Sequence, residues 1–202
     1  MTQELLDWDA PEVRALLRPG GAYVDFGAHV GWSTAILAAT GGLVHAYEPN
    51  PHAFKVLSGK FAAMPQVRCL NQAVAAEAGS LPLYLHLEHG LDPVQYASGS
   101  TLRGDKINVG REHVMVTVVR AADAVRRALA EAGGPLTLLK MDVEGLEFEI
   151  LESLLAEGLL TGIGQVLVET HEEKIPSIRE QSARVRALLR QSGVTNVRLD
   201  WK

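Results

Sequence analysis

The sequence predicts an α/β protein with a doubly wound, mainly parallel sheet, helices on both faces and an antiparallel insertion around residues 79–119. Three observations indicate this fold. Short apolar runs alternate with stretches of helical periodicity along most of the 202 residues. The first apolar run ends in a turn that carries Gly27 and Gly31. The alternation of strands and helices fails only between about residues 79 and 119. At this length, residues 1–202 are expected to form a single domain.

The first half of the chain contains three predicted strands, at 22–26, 43–48 and 67–74. The segment Asp9-Ala10-Pro11-Glu12 has the pattern of a capping box, which predicts a short helix over residues 9–17. A second helix is expected after Gly31, ending at the glycine pair 41–42, and a third after Pro51.

The predicted insertion consists of two half-buried strands. Leucines alternate with other residues at positions 81, 83, 85 and 87, and valines alternate at positions 114, 116 and 118. Between them, residues 88–111 form a polar loop, and loops of that length usually have a function or are mobile.

The second half of the chain returns to strands and helices in alternation. Strands are predicted at 136–142, 165–171 and 196–201, and helices at 123–131, 146–155 and 176–191. Glu147, Glu149 and Glu152 are expected on the solvated face of their helix. The final strand could be an exposed edge through which the protein forms a homo-oligomer.

The composition excludes several classes of function. The net charge of −5 gives no electrostatic basis for nucleic-acid binding. Cys69 is the only cysteine, which excludes an internal disulfide and a cysteine-based zinc site. The acidic N-terminus lacks the apolar region of a signal peptide, and no apolar run reaches the ~18 residues of a membrane span. A cytoplasmic protein with no membrane partner is therefore expected.

Polar residues at the carboxyl ends of the predicted parallel strands are the candidates for a functional site, because ligands of such sheets bind there. These residues are Asp25, Glu48, Asp142, Glu169 and His171.

The residues around the first strand favour an adenosine ligand that is not a dinucleotide. Glu48 can accept hydrogen bonds from both ribose hydroxyls. The dinucleotide pattern Gly-x-Gly-x-x-Gly is not met, because His29 and Trp32 stand at its second and third glycines. Asp25 adds negative charge that suits an ammonium group better than a pyrophosphate. S-adenosylmethionine carries both an amine and a sulfonium.

Five segments, taken in order, resemble the successive motifs of the FkbM-type methyltransferases. They are DFGAHVG at 25–31, AYEPNP at 46–51, NQAV at 71–74, LKMDVEGLE at 139–147 and VETH at 168–171. The resemblance implies the class I methyltransferase fold, S-adenosylmethionine as cofactor, and methylation of hydroxyl oxygens on small molecules or glycans.

The resemblance also implies which residues contact the cofactor. They are Asp25, Gly27 and Gly31 at the methionine end, Glu48 at the ribose, Gln72 and Ala73 at the adenine, and Asp142 beside the methyl group. His29 replaces the asparagine usual in the family, so a cofactor contact can differ here. Residues 98–102 resemble the small, hydroxyl-rich loop on the substrate side.

O-methylation requires an aligned hydroxyl and can use a base that removes its proton. His171 has the most suitable intrinsic pKa, and Asp142 and Glu169 are the alternatives. The same three side chains could instead gather Mg²⁺ or a similar ion. Two rival functions remain: a non-catalytic module that binds the cofactor or a partner, and an NAD-dependent oxidoreductase.

Overall fold

The computed structural model describes residues 7–201 and, within them, nine strands in two sheets. The strands are β1 (Ala22–Phe26), β2 (Leu43–Tyr47), β3 (Val67–Leu70), β4 (Ala73–Ala75), β5 (Gly79–His86), β6 (Val109–Arg120), β7 (Leu136–Met141), β8 (Ile163–Glu169) and β9 (Val197–Trp201). The main sheet has the order β3-β2-β1-β7-β8-β9, and every neighbouring pair is parallel. The direction of winding reverses between β1 and β7, where ligands of such sheets bind. The predicted doubly wound α/β fold is confirmed.

Six α-helices cover the two faces of this sheet within the described range. They are α1 (Pro11–Arg14), α2 (Trp32–Ala38), α3 (Pro51–Lys60), α4 (Ala121–Ala132), α5 (Glu147–Ala156) and α6 (Arg179–Gln191). Helices α1–α3 pack on one face, against side chains such as Tyr23 and Leu138, and α4–α6 pack on the other, against Val24 and Leu139. Since successive strand residues point to opposite faces, a strand covered on both sides is apolar throughout, as β1 is up to Asp25.

The predicted third strand at 67–74 is wrong, because this segment forms two strands in different sheets. β3 pairs with β2 in the main sheet, whereas β4 pairs with β6 in a three-stranded sheet of order β4-β6-β5. Between them, the Asn71 side chain donates hydrogen bonds to the carbonyls of Glu48 (2.8 Å) and Pro49 (3.1 Å). These contacts hold the chain at the end of β2 while it turns into the second sheet.

The insertion contains the predicted antiparallel pair, β5 with β6, but begins earlier than expected because β4 belongs to it. The segment 88–111 has more structure than a loop. It contains a 3₁₀ turn at Gln95–Gly99, and β6 already begins at Val109. Thr101 forms an isolated antiparallel bridge with Tyr84, which ties the segment back onto β5.

The predicted capping box is absent, and the short helix expected at 9–17 is present but shorter. Helix α1 spans only Pro11–Arg14, and its N-terminal cap is Ala10, with no side-chain capping bond. The Asp9 carboxylate pairs with Arg14 at 2.5 Å instead. The turn before the helix is held by Asp7, which accepts hydrogen bonds from the backbone N–H groups of Asp9 and Ala10.

Two expectations about the ends of the chain concern partners and location. β9 lies at the edge of the main sheet, as predicted, and pairing of this edge with a second copy stays a prediction. Among residues 7–201, no helix combines the length and the apolar character needed to cross a bilayer. The N-terminal features at Met1–Glu4 lie outside the described residues.

Candidate active site

The turn after β1 forms one wall of the site, and its two glycines are required for different reasons. Gly27 has a φ of +78°, and a Cβ there would lie 1.8 Å from the backbone oxygen of Asp142. Its missing side chain therefore lets β1 and β7 approach closely at their carboxyl ends. Gly31 has a φ of +83°, and a Cβ there would lie 2.6 Å from the Phe61 ring. Gly31 thus lets α2 begin tightly against the residue that follows α3.

Glu48, directly after β2, is the carboxylate that organises the first cavity. It is 5% exposed, and its two oxygens accept hydrogen bonds from the backbone N–H groups of His29 and Asn50, each at 2.7 Å. Burial raises the pKa of Glu48 to about 7, although these two N–H donors oppose the shift. His29 also contacts the Val94 carbonyl through Nε2 at 3.0 Å.

A cavity lies above these strand ends. Its lining includes Gly27, His29, Glu48, Gln72, Ala73 and Asp142, six of the residues predicted to bind the cofactor. The buried Oε1 atom of Gln72 has no hydrogen-bond partner. A free acceptor beside an apolar wall, with a carboxylate at the ribose position, suits an adenosine group.

Asp25 lies below the turn rather than in the wall of this cavity. Its side chain is fully buried, and its Oδ2 atom accepts a hydrogen bond from the Thr34 hydroxyl at 2.7 Å. Its other oxygen, Oδ1, lies 3.5 Å from the Lys140 ammonium. Asp25 therefore links β1 to α2 and β7, and its contact with the methionine end of the cofactor stays a prediction, as does that of Gly31.

Lys140 joins the turn to Asp142. Its ammonium donates to the Gly27 carbonyl at 2.7 Å and lies 3.5 Å from Asp142 Oδ2. Burial alone would lower the pKa of Lys140, but the carboxylates of Asp25, Asp142 and Glu169 raise it above its ordinary value. The lysine is therefore charged and forms ion pairs with these carboxylates.

Asp142 lies where the first cavity meets two others, and Glu169 lines those two. The second cavity is lined by Lys140, Asp142 and Glu169 and by the tryptophans at positions 8, 32 and 201. The third contains the same two carboxylates and a polar wall that includes Lys106 and Lys174. Asp142 lines all three cavities. The structure thus brings these two predicted residues together at one junction.

His171 lies behind this junction, buried to 2% exposure. Its Nδ1 atom is 2.8 Å from Glu147 Oε1, and its Nε2 atom is 3.1 Å from Glu144 Oε2 and 3.7 Å from Asp142 Oδ1. Burial would lower the pKa of His171, but the hydrogen bond to Glu147 and the nearby carboxylates raise it to about 9. His171 is close to Asp142 and Glu169, as predicted, but none of the three cavities is lined by it.

Three residues of this cluster were not identified as functional from the sequence. Glu147 was predicted on a solvated helix face, which is wrong, because it is fully buried against His171. Glu144 faces the histidine and pairs with the buried Lys106 at 2.5 Å. For the two glutamates, the only indication of a functional role in the sequence is their position within the segment 139–147, which resembles a family motif. No sequence pattern indicates a role for Lys106.

Comparisons with known proteins identify the family. The methyltransferase FkbM domain matches residues 25–194. Methyltransferase sdnD of Sordaria araneosa is 30% identical over 203 residues, which covers 88% of this chain and 76% of that protein. The crystal structure of methyltransferase FkbM from Methylobacillus flagellatus KT aligns with 70% of this chain and 31% of its own, at 19% identity and a TM-score of 0.43. The protein belongs to the FkbM methyltransferase family.

Proposed function

We propose that this methyltransferase uses S-adenosylmethionine to methylate a hydroxyl oxygen of a small molecule or glycan. The observation that carries the proposal is the continuity of the site. The cavity with Glu48 and Gln72 in its wall reaches Asp142, and Asp142 also lines the other two cavities. A donor and an acceptor could therefore meet at this aspartate.

The donor would be held by the first cavity. Glu48 would accept the ribose hydroxyls, and Gln72 and Ala73 would border the adenine, with the Gln72 amide oxygen free to accept a hydrogen bond. When bound, S-adenosylmethionine supplies an electrophilic methyl group on its sulfonium sulfur. The negative charge of Asp142 favours a cation at this place.

The acceptor hydroxyl would be positioned by Asp142 and Glu169. Both carboxylates line the second and third cavities, with side chains 27% and 28% exposed. Either oxygen can accept a hydrogen bond from the alcohol, fix its direction and take its proton as the methyl is transferred. His171 is buried behind these two residues. We propose that it acts on the reaction through Asp142, whose Oδ1 atom lies 3.7 Å from its Nε2 atom.

The second cavity favours an acceptor that carries a sugar. Its walls include all three tryptophans of the chain, and Trp32 is 76% exposed. Tryptophan offers a broad apolar face with a polar edge, which suits the C–H face of a pyranose. The carboxylates at the base of the cavity suit its hydroxyls.

The direct test is transfer of a labelled methyl group from S-adenosylmethionine to a panel of sugars, glycosides and polyols. We expect methyl ethers to form on at least one sugar-bearing acceptor. Asp142→Asn is expected to lower kcat about a hundredfold or more, because it removes the charge that positions and deprotonates the hydroxyl. Failure of every acceptor, with the cofactor tightly bound, would favour the non-catalytic binding module instead.

His171→Ala should separate turnover from cofactor affinity. His171 contacts Asp142 and Glu144 but not the wall of the adenosine cavity, so we expect kcat to fall at least tenfold while the Kd of S-adenosylhomocysteine changes less than threefold. Steady-state kinetics and calorimetry on the same preparation provide the two values. Unchanged turnover would remove His171 from the reaction.

A further inference from the structure

Three side chains near the proposed site of the acceptor hydroxyl direct possible metal-ligand atoms towards a single point. We propose that Asp142, Glu144 and His171 form a binding site for a divalent cation of the Mn²⁺ type. One ligand atom from each of these residues lies within 4.8 Å of the other two. The set differs from the one considered from the sequence, because Glu144 takes the place of Glu169.

The strongest observation is an unpartnered nitrogen. His171 is 98% buried, yet its Nε2 atom has no hydrogen-bond partner, and neither does the Asp142 Oδ1 atom opposite it. The Glu144 oxygen is near, at 3.1 Å, but it lies out of line for a hydrogen bond from the ring. Buried polar atoms without partners are rare in proteins, and a shared ion is one explanation for two of them facing each other.

The distances suit ligands of one ion. Ligands about 2.1 Å from a metal and at right angles lie about 3 Å apart. The separations from His171 Nε2 to Glu144 Oε2 and to Asp142 Oδ1 are 3.1 and 3.7 Å. Small side-chain rotations would bring all three atoms into coordination.

The other ring nitrogen of His171, Nδ1, is held by a carboxylate, as is usual for histidines that bind a metal. His171 Nδ1 is 2.8 Å from Glu147 Oε1, which is fully buried and also accepts a hydrogen bond from the backbone N–H of Gly145 at 2.9 Å. A carboxylate that accepts the Nδ1 proton turns the Nε2 lone pair towards the metal and raises its basicity. Glu147 is therefore a positioning residue.

The charged groups around this point allow a cation to bind. Asp142, Glu144, Glu147 and Glu169 surround the imidazole. Two lysines also face this group: Lys140 lies 3.5 Å from the far oxygen of Asp142, and Lys106 takes one position on Glu144 Oε2. Because a carboxylate oxygen has two lone pairs, Lys106 does not block Glu144.

The mixed ligand set indicates which ion. Carboxylates suit Mg²⁺ and Mn²⁺, whereas imidazole suits later transition metals, so two carboxylates with one histidine favour Mn²⁺ over Mg²⁺. If the proposed function is correct, such an ion would also lie near the acceptor hydroxyl. Only this placement beside the hydroxyl rests on the proposed function; the metal site itself does not rest on it.

The experiment is titration of metal-stripped protein with Mn²⁺, followed by electron paramagnetic resonance. We expect a 1:1 complex whose pulsed spectrum shows coupling to a single histidine nitrogen. Glu144→Gln should weaken Mn²⁺ binding at least tenfold, and His171→Ala should abolish the nitrogen coupling. Glu147→Gln should weaken binding about tenfold. Mg²⁺ should compete only weakly.

Two controls keep the result interpretable. His45→Ala removes another buried histidine, which pairs with Glu131 at 2.8 Å, and should leave Mn²⁺ affinity and nitrogen coupling unchanged. Circular dichroism and S-adenosylhomocysteine calorimetry on each variant report whether it is folded.

Three outcomes would overturn the site: no Mn²⁺ binding at millimolar metal, nitrogen coupling that survives in His171→Ala, or affinity that survives in Glu144→Gln. If the protein binds S-adenosylhomocysteine but no Mn²⁺, the metal site is refuted and the proposed function stands. If it binds Mn²⁺ but no S-adenosylhomocysteine, the proposed function is refuted and the metal site stands.

Discussion

Replacing Glu48 with alanine is expected to weaken the binding of S-adenosylhomocysteine about a hundredfold. The change removes the proposed ribose acceptor and leaves the backbone N–H groups of His29 and Asn50 without their partner. Hydrogen bonds to a charged group contribute roughly 1.5–3 kcal/mol each, so losing two contacts to the ribose corresponds to about two orders of magnitude or more. Calorimetry measures the affinity directly.

Two companion variants sharpen this result. Glu77→Ala changes an acid that is 88% exposed, and it should bind as the unchanged protein does. Glu48→Gln keeps the shape of the side chain without its charge. Its affinity for S-adenosylhomocysteine should lie between that of Glu48→Ala and that of the unchanged protein. An unaltered affinity in Glu48→Ala would place the ribose elsewhere.

The affinity of the unchanged protein should also depend on pH. Because burial raises the pKa of Glu48 to about 7, the side chain is largely protonated at pH 6 and largely ionised at pH 8. The ionised form is the better acceptor for two hydroxyls, so the affinity should rise over this interval. Glu48→Gln should lack this rise, and an equal rise in that variant would assign it to another group.

Replacing Lys140 with methionine is expected to lower the free energy of unfolding by about 3–5 kcal/mol. The variant keeps the length and apolar stem of the side chain but removes the ammonium that lies 3.5 Å from both Asp25 and Asp142 and donates to the Gly27 carbonyl. Buried carboxylates then lose their cation, which is far more costly than losing a surface ion pair. For a chain of this size the melting temperature should fall by about 10 °C.

The matched control is Lys60→Met. Lys60 also donates to a carbonyl of the same turn, that of Gly31 at 3.0 Å, but it faces aromatic rings rather than buried acids. Its loss should cost about 1 kcal/mol, measured by denaturant unfolding at pH 7. Equal stability of Lys140→Met and the unchanged protein would mean that the turn does not depend on this ion pair.

The sequence was sufficient for the elements whose local pattern and tertiary role agree. Strand β1 was predicted with its exact bounds, because a short apolar run ends at a glycine turn. The positions of Glu48, Asp142 and Glu169 followed from the rule that parallel strands present their carboxyl ends at one edge.

The division of the segment 67–74 into two strands depends on long-range strand pairing, which the local sequence does not show. The run at 67–74 is equally apolar on both sides of Asn71, so nothing local indicates that the chain changes sheets there. The second half becomes a strand by pairing with β6, whose partner residues are Val118, Val119 and Arg120. Local periodicity carries no information about a partner that far along the chain.

The buried acids of the site were hidden for a related reason. Glutamate is rarely fully buried unless it is paired, so Glu147 was assigned to the surface of its helix. Its partner, His171, lies 24 residues later, just after the end of β8. Lys106 is buried within a polar loop, where neither helical nor strand periodicity indicates burial.

Calorimetric titration with S-adenosylhomocysteine, with NADH in parallel, distinguishes a site for S-adenosylmethionine from a dinucleotide site. We expect micromolar binding of S-adenosylhomocysteine and no binding of NADH, because the cavity offers Glu48 and Gln72 to an adenosine and places His29 where a dinucleotide needs bare backbone. Binding of NADH with similar affinity, or binding of neither compound, would contradict this expectation.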